Sequence, residues 1–312
     1  MQAQRNVPDF FIVGQPKCGT TALYEMLKLH PAIAMSRHKE PNYFIRDGHY
    51  KNTPPSLEDY LDLFSEATPG QQRGEASVLY LASSTSAAGI AELQPAAKAI
   101  AILREPASLL RSFHLEMLEK RVETEKDLSR ALLLEASRRT SHKVPAGGID
   151  QAPMLFYSNH VRYVEQLERF YSRFAAEQIL VLLYDDFRED NQGALRRILR
   201  FLEVDDSIDL EVKKANPTVQ VRSPALDRMV HALEMGNGTA TRLAKGGIKA
   251  LTPRRLRRRT LDGFEKRIVY AKASKADTAL REELREEYRP EVEALDAYLG
   301  AEFDLLSRWG YA

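Results

Sequence analysis

Short apolar runs that alternate with amphipathic stretches constrain this chain more than any other feature. Asp9-Phe10-Phe11-Ile12-Val13-Gly14 is an apolar run closed by glycine, the pattern of a buried strand. After a loop over Gln15 to Gly19, the segment Thr20 to His30 sets Leu23, Met26, Leu27 and His30 on one helical face, and Pro31 stops it. Ala99-Ile100-Ala101-Ile102-Leu103 reads as a second buried strand, and Pro106 then opens a helix, where its missing N–H costs little. Gln178 to Tyr184 is a third strand, preceded by an amphipathic helix over roughly 157–174 and followed by another over roughly 191–202. Strands alternating with helices predict an α/β fold: a central, mainly parallel sheet of about four or five strands, covered by helices on both faces.

With 312 residues, no internal repeat and no evident linker, one domain over 1–312 is expected, its core spanning about 9–309. Segments 46–72 and 138–153 read as loops with short helices, expected over a cleft. Segment 236–259 contains Gly246-Gly247 and the run Pro253-Arg254-Arg255-Leu256-Arg257-Arg258-Arg259. A charged helix is expected over 276–299, with Leu280, Leu284, Tyr288, Val292, Leu295 and Leu299 as its apolar stripe and a kink or break at Pro290.

Forty-five Lys and Arg against forty-four Asp and Glu leave a net charge of +1, which argues against a whole-surface field for nucleic acid or anionic membrane but permits a local anion site. One cysteine excludes an intramolecular disulfide framework and a cysteine-based zinc site. Apolar stretches such as Ile179 to Tyr184 are far short of a membrane span. Residues 1–8 are polar and lead straight into the first strand, so the expectation is a soluble cytoplasmic protein without a signal peptide or anchor.

The strongest chemistry lies between the first strand and the first helix. Gly14-Gln15-Pro16-Lys17-Cys18-Gly19-Thr20-Thr21 has glycines five apart and two hydroxyl residues opening the helix. A helix N-terminus offers unpaired N–H groups and about half a positive charge, so a phosphate can sit there. Glycine lets the backbone approach the anion, and Lys17 adds a point charge. The spacing also resembles a Walker A loop, but that loop ends Gly-Lys-Ser/Thr, whereas here the lysine precedes Gly19 by two residues. Val181 to Asp185 would serve as the matching acidic strand in a magnesium-dependent kinase or triphosphatase, which is the alternative reading.

Pro16-Lys17-Cys18-Gly19-Thr20-Thr21 after a hydrophobic strand resembles the 5′-phosphosulfate loop of the sulfotransferases that use 3′-phosphoadenosine-5′-phosphosulfate (PAPS), in particular the bacterial and heparan-sulfate-sulfotransferase-like type. The resemblance implies cofactor contacts from Lys17, Cys18, Gly19, Thr20 and Thr21 in a P-loop-like strand–loop–helix. Cys18 fills the variable position as a small packing residue. Leu103-Arg104-Glu105-Pro106 with Ser112 eight residues after Arg104 resembles the family's 3′-phosphate motif, in which an arginine fork and a serine hydroxyl grip the ribose phosphate. Many relatives carry a second arginine where this chain has Leu109.

His38-Lys39-Glu40-Pro41-Asn42-Tyr43-Phe44 resembles the Lys-Glu-x-x-x-Phe stretch in which the glutamate is the general base, while cytosolic small-molecule relatives use a histidine. An alcohol must lose its proton as its oxygen attacks sulfur, so Glu40 is the expected base, with His38 as competitor. A Glu40 that only pairs with Lys17 or Lys39 is the structural alternative, and His114 reads as a packed histidine. Gly74-Glu75-Ala76-Ser77-Val78-Leu79-Tyr80 resembles a segment that borders the acceptor cleft, and equally reads as the end of a core strand. Asn216 to Pro224 sits where relatives place a cofactor-side loop, which makes Arg222 a candidate phosphate contact. The stretch from Tyr288-Arg289-Pro290 through Trp309 is family-like and expected to be structural. The arginine run 254–259 reads as a solvated face, or else as a site for an anionic acceptor.

The implied activity is transfer of a sulfonate group from PAPS to the hydroxyl of a natural product, lipid or carbohydrate, leaving adenosine 3′,5′-bisphosphate. Lys17 and Glu40 would be catalytic, with Lys17, Cys18, Gly19, Thr20, Thr21, Arg104, Ser112 and Arg222 on the nucleotide. No metal is called for, since fixed cations and dipoles take its place. A further alternative is a non-catalytic member that binds a 3′,5′-nucleotide or an anionic partner.

Overall fold

A computed structural model describes residues 6–48, 53–141, 144–145, 152–208 and 275–312. Arg222 with its segment 216–224, and the arginine run 254–259, lie outside the described residues. The chain divides into a compact unit of Met1–Ala215 with Leu280–Ala312, and a second of Asn216–Ala279. Elements are labelled in chain order among the described residues.

The first unit is built on five strands, β1 (Phe10–Gly14), β2 (Ile33–Met35), β3 (Gln72–Ala76), β4 (Lys98–Leu103) and β5 (Ile179–Leu183). They form one sheet in the order β2-β3-β1-β4-β5. All four pairings are parallel, with Phe10 opposite Gly74, Ile12 opposite Ile100 and Ala99 opposite Ile179. The expected class and strand number are therefore met. Every residue of β1 and β5 is buried, which is why these strands read as unbroken apolar runs: a parallel sheet is covered on both faces. Close pairing of β3 with β1 needs glycine at 74, where a Cβ would stand 2.2 Å from the Phe10 ring and 2.6 Å from the Met35 sulfur.

Helices α1 (Thr20–Leu27), α2 (Leu57–Asp62), α3 (Ser86–Leu93), α4 (Pro106–Glu119), α5 (Leu128–Ser141), α6 (Tyr163–Tyr171), α7 (Tyr184–Glu189) and α8 (Asn191–Phe201) connect and cover the strands. They are followed by α9 (Lys275–Leu299) and α10 (Leu305–Arg308). The expected short helix within 46–72 is α2, capped by Ser56 Oγ accepting from the Asp59 N–H at 3.1 Å.

Several expectations are corrected. The first helix ends at Leu27 rather than His30, because His30 folds back, its Nδ1 accepting from the Ala32 N–H at 3.1 Å and its Nε2 2.8 Å from the Asp205 carbonyl. The helix expected over roughly 157–174 is split into a 3₁₀ turn (Tyr157–His160) and α6, since Arg162 leaves helical geometry at ψ 64°. Segment 138–153, expected as a loop with short helices, begins instead inside the 14-residue α5, which continues to Ser141 and buries Arg138 against Glu123. Helix α9 runs unbroken through Pro290, whose side is exposed, while Leu284, Tyr288, Val292 and Leu295 are buried as the stripe predicts. No helix among the described residues is long and apolar enough to cross a membrane.

Since all five strands run the same way, the segments after their carboxyl ends share one edge of the sheet: 15–19 after β1, 36–44 after β2, 77–80 after β3, 104–105 after β4 and Tyr184 after β5. Open parallel sheets bind their ligands along this edge.

Candidate functional site

The β1–α1 turn is held down at its start by the Gln15 N–H donating to the Ile102 carbonyl of β4 at 3.0 Å. It is closed by Gly19, whose φ of 79° places it in the left-handed region as the N-cap of α1. Gly19 has no side chain to offer as a cap, so among the described residues the first N–H groups of α1 are left for another acceptor. Thr20 is buried and Thr21 exposed at the helix start. The Cys18 thiol is fully buried, 3.5 Å from the Pro16 carbonyl, and burial pushes its pKa up to about 12. It packs, as its position in the loop suggested.

Lys17 also has a left-handed backbone, at φ 62°. Its ammonium lies 3.1 Å from Glu116 on α4, and the other Glu116 oxygen is 2.5 Å from Lys120. Burial alone would raise the Glu116 pKa, but Lys120 and Lys17 outweigh it and hold the carboxyl below its ordinary range.

Arg104 follows the end of β4 and ties the two predicted anion motifs together. Its Nη1 donates to the Lys17 carbonyl at 2.9 Å, and its guanidinium lies 4.6 Å from the centre of the Tyr184 ring. The Arg104 carbonyl accepts from the Tyr163 hydroxyl at 2.6 Å, which fixes the turn from the other side. The next residue, Glu105, caps α4 by accepting from the Ala107 and Ser108 N–H groups at 3.2 and 2.8 Å.

Arg104 opens onto a cavity of about 510 Å³ whose wall also includes Ser108, Arg188, Arg281, Arg308 and Trp309. Asp185 and Glu189 temper its charge, and Arg188 lies 3.2 Å from Asp185. The Trp309 indole N–H is buried without a partner among the described residues. Ser112 lies one turn beyond Ser108 on α4 and is buried; Ser108 is the serine on the cavity wall. Leu109 is fully buried in the core.

A second cavity, about 610 Å³, is walled by Tyr24, Lys28, Arg37, His38, Lys39 and Glu40. Glu40 has φ 60°, its N–H donates to the Ala76 carbonyl at 2.9 Å, and its carboxylate receives Lys39 Nζ at 2.5 Å. Lys17 is thus paired with Glu116, whereas Glu40 is paired with Lys39. His38 shares the Glu40 cavity, and Ser36 Oγ donates to its carbonyl at 2.9 Å. His114 is buried with Nε2 2.8 Å from the Glu125 carbonyl, and burial lowers its pKa, in keeping with a packed histidine.

Residues Gly74 to Tyr80 are all buried, so this segment is the end of a core strand and its turn. Glu75, fully buried, accepts from Ser77 Oγ and Tyr60 OH, each at 2.5 Å, and from Tyr80 OH at 3.2 Å; burial raises its pKa to about 7 against the pull of these donors.

Sequence reading missed Glu116, Ser108, Tyr184, Arg281 and Arg308. For the first two a signal existed: Ser108, Ser112 and Glu116 recur every four residues along the helix that follows Arg104. Arg281 and Arg308 reach the cavity from the far end of the chain, where local spacing carries no such signal.

Comparison with known proteins gives the family of the chain. A family model described as "Sulfotransferase domain" matches residues 7–223. Carbohydrate sulfotransferase 15 of Homo sapiens is 47% identical over 72 residues, covering 20% of this chain and 12% of that protein. Heparan sulfate glucosamine 3-O-sulfotransferase 3A1 of Mus musculus is 27% identical over 201 residues, 64% of this chain and 47% of that protein. The chain therefore spans less than half the length of either relative. The crystal structure of a sulfotransferase from Alicyclobacillus acidocaldarius superposes with a TM-score of 0.60 at 26% identity, covering 72% of this chain and 90% of that one. A strand–loop–helix with an uncapped N-terminus, joined through Arg104 to an arginine-lined cavity and matched by that model over more than half its length, makes this chain a member of the sulfotransferase domain family.

Proposed function

We propose that this chain, as one sulfotransferase domain, transfers a sulfonate group from PAPS to an acceptor hydroxyl. The observation that carries the reading is the bond from Arg104 to the Lys17 carbonyl. It sets an open helix N-terminus beside an arginine-lined cavity, and one nucleotide phosphorylated at both its 5′ and 3′ ends would meet both. The 5′-phosphate would rest on Lys17, Gly19, Thr20, Thr21 and the backbone at Cys18. The 3′-phosphate would meet Arg104, with Ser112 and Arg222 as further contacts and Ser108, Arg281 and Arg308 on the cavity wall.

In the reaction the acceptor oxygen attacks sulfur as the bond from sulfur to the 5′-phosphate oxygen breaks in line, releasing adenosine 3′,5′-bisphosphate. Glu40 takes the acceptor proton, and Lys17 neutralises the charge growing on the departing oxygen, having exchanged Glu116 for the nucleotide. Aimed donors of this kind are worth several kcal/mol in a transition state. Positive charge from Lys17 and α1 does what a metal would do in a kinase. Of the expected acceptors, a natural product, lipid or carbohydrate hydroxyl, relatives named for carbohydrate and heparan sulfate glucosamine support the carbohydrate.

Thermal shift with adenosine 3′,5′-bisphosphate against ATP plus magnesium tests the donor: the bisphosphate should stabilise the protein. Stabilisation by ATP alone would replace this reading with a phosphoryl-transfer one. A screen of hydroxyl acceptors with labelled PAPS identifies the acceptor. Lys17→Ala and Glu40→Gln should each lower turnover about 10²-fold or more, and unchanged turnover in Glu40→Gln would remove Glu40 as base.

A further inference from the structure

Three hydroxyl groups converge on the buried carboxylate of Glu75, and each residue that bears one also holds a residue of the loop carrying Glu40. Ser77 Oγ, which donates to Glu75 at 2.5 Å, accepts from the Asn42 N–H at 3.0 Å. Tyr60, whose hydroxyl donates to Glu75 at 2.5 Å, stacks on Tyr43 with ring centres 4.5 Å apart and planes 11° from parallel. Tyr80, whose hydroxyl donates to Glu75 at 3.2 Å, faces the Phe44 N–H at 3.5 Å and packs its ring 5.8 Å from that of Phe44. Residues 42, 43 and 44 are thus gripped in turn by three side chains that share one acceptor.

Asn42 passes this grip on to Glu40. Its Nδ2 donates to the Glu40 carbonyl at 3.0 Å, while the Glu40 N–H donates to the Ala76 carbonyl, next to Glu75, at 2.9 Å. Both loop residues have left-handed backbones, with φ 60° at Glu40 and 53° at Asn42. Residues other than glycine keep that conformation where their surroundings over-determine it. Glu75 has no ion pair among the described residues, so its burial is offset by hydroxyl donors alone. An apolar side chain would fill the same core space; a carboxylate can accept from three hydroxyls at once and fix their rotors.

We infer that Glu75 is a positioning residue for Glu40: through Ser77, Tyr60 and Tyr80 it fixes the left-handed loop that aims the Glu40 carboxylate, without itself touching substrate. This role rests on the assignment of Glu40 as the base. The test compares wild type with Glu75→Gln, Ser77→Ala, Ser77→Thr, Glu40→Gln and the Glu40→Gln/Ser77→Ala double variant in the full chain. PAPS turnover is read as release of adenosine 3′,5′-bisphosphate, with water or the acceptor found in the screen as nucleophile. Amide hydrogen exchange reports on residues 38–44, and titration with adenosine 3′,5′-bisphosphate reports on the nucleotide site.

Glu75→Gln and Ser77→Ala should each lower turnover at least tenfold and speed exchange across 38–44, while bisphosphate affinity stays within twofold. Ser77→Thr, which keeps the hydroxyl, should restore both. In the Glu40→Gln background, Ser77→Ala should add less than twofold. Additive losses in the double variant, or equal losses of bisphosphate binding, overturn the positioning role alone. An unchanged rate in Glu40→Gln overturns the base assignment, and the catalytic meaning of Glu75 with it. Should Glu75→Gln fail to fold, Ser77→Ala, which leaves the carboxylate with two donors, decides between the same outcomes.

Discussion

Gly19 is the residue on which the phosphate loop turns, for two separate reasons. Its φ of 79° is strained for any side chain, and a Cβ there would stand 2.8 and 2.9 Å from carbons of the Phe187 ring. Gly19→Ala should therefore cost about 1–3 kcal/mol in chemical denaturation and weaken bisphosphate binding more than the stability loss explains. Retained binding in that variant would mean the loop closes around the anion by another route. Glu75 poses a different residue-scale question, that of pH. Burial raises its pKa from 4.5 to about 7 although Ser77, Tyr60 and Tyr80 donate to it. The folded protein keeps this proton to higher pH than the unfolded chain does, so the stability attached to it is whole below about pH 4.5 and is lost as pH rises through about 7. Urea denaturation at pH 5 and pH 8 should show wild type losing on the order of 3 kcal/mol relative to Glu75→Gln, and a constant difference would refute the burial effect.

At the scale of elements, legibility follows how a segment is buried. Strands β1, β4 and β5 were readable because both their faces are apolar. Strand β2 has three residues and β3 opens with Gln72 and Arg73, so neither forms an apolar run. Helix α5 was hidden because Leu133 and Leu134 are exposed and blur its apolar face. Lys17, Gly19, Thr20 and Arg104 could be picked out because contiguous motifs carry them. The group around Glu75 draws Tyr60 from α2 and Tyr80 from the turn after β3, a pairing no local spacing reports. The same holds for the clamp that ties α5 to the segment after α4. Arg138 donates to Glu123 from two nitrogens at 2.7 and 2.9 Å with both side chains buried; the Tyr157 hydroxyl donates to the same carboxylate at 3.1 Å, and the Thr124 and Glu125 N–H groups at 2.7 and 2.8 Å. Arg138→Ala leaves that buried carboxylate its hydroxyl and backbone donors but no counter-ion, and should cost about 3–5 kcal/mol in denaturation, with part of the loss recovered in Glu123→Gln/Arg138→Met. A loss below about 1 kcal/mol would mean water replaces the guanidinium, as it does at exposed pairs.

Across the whole molecule, near-neutral composition conceals a local concentration of arginine, and the chain reaches it by folding its last residues back onto its first half. The family model ends at 223, yet the compact unit that begins at residue 1 is completed by 280–312. Within that return, Leu305, Trp309 and Tyr311 are buried, and the Tyr311 hydroxyl donates to Glu105, the cap of α4, at 2.8 Å. Arg289 holds the Tyr311 carbonyl at 2.7 Å, and Arg308 and Trp309 wall the cavity beside Arg104. Burial of three large apolar side chains contributes about 5–9 kcal/mol, comparable to the whole stability of an ordinary domain. A chain ending at residue 299 should therefore melt far below wild type or fail to fold, as followed by circular dichroism. The milder Tyr311→Phe keeps the ring but takes one of three donors from the Glu105 carboxylate, which still caps α4, and should cost about 1 kcal/mol while leaving Arg104 less well placed. Its bisphosphate affinity should fall with little change in melting temperature; an affinity equal to wild type would show that the C-terminal return supports the core without reaching the nucleotide.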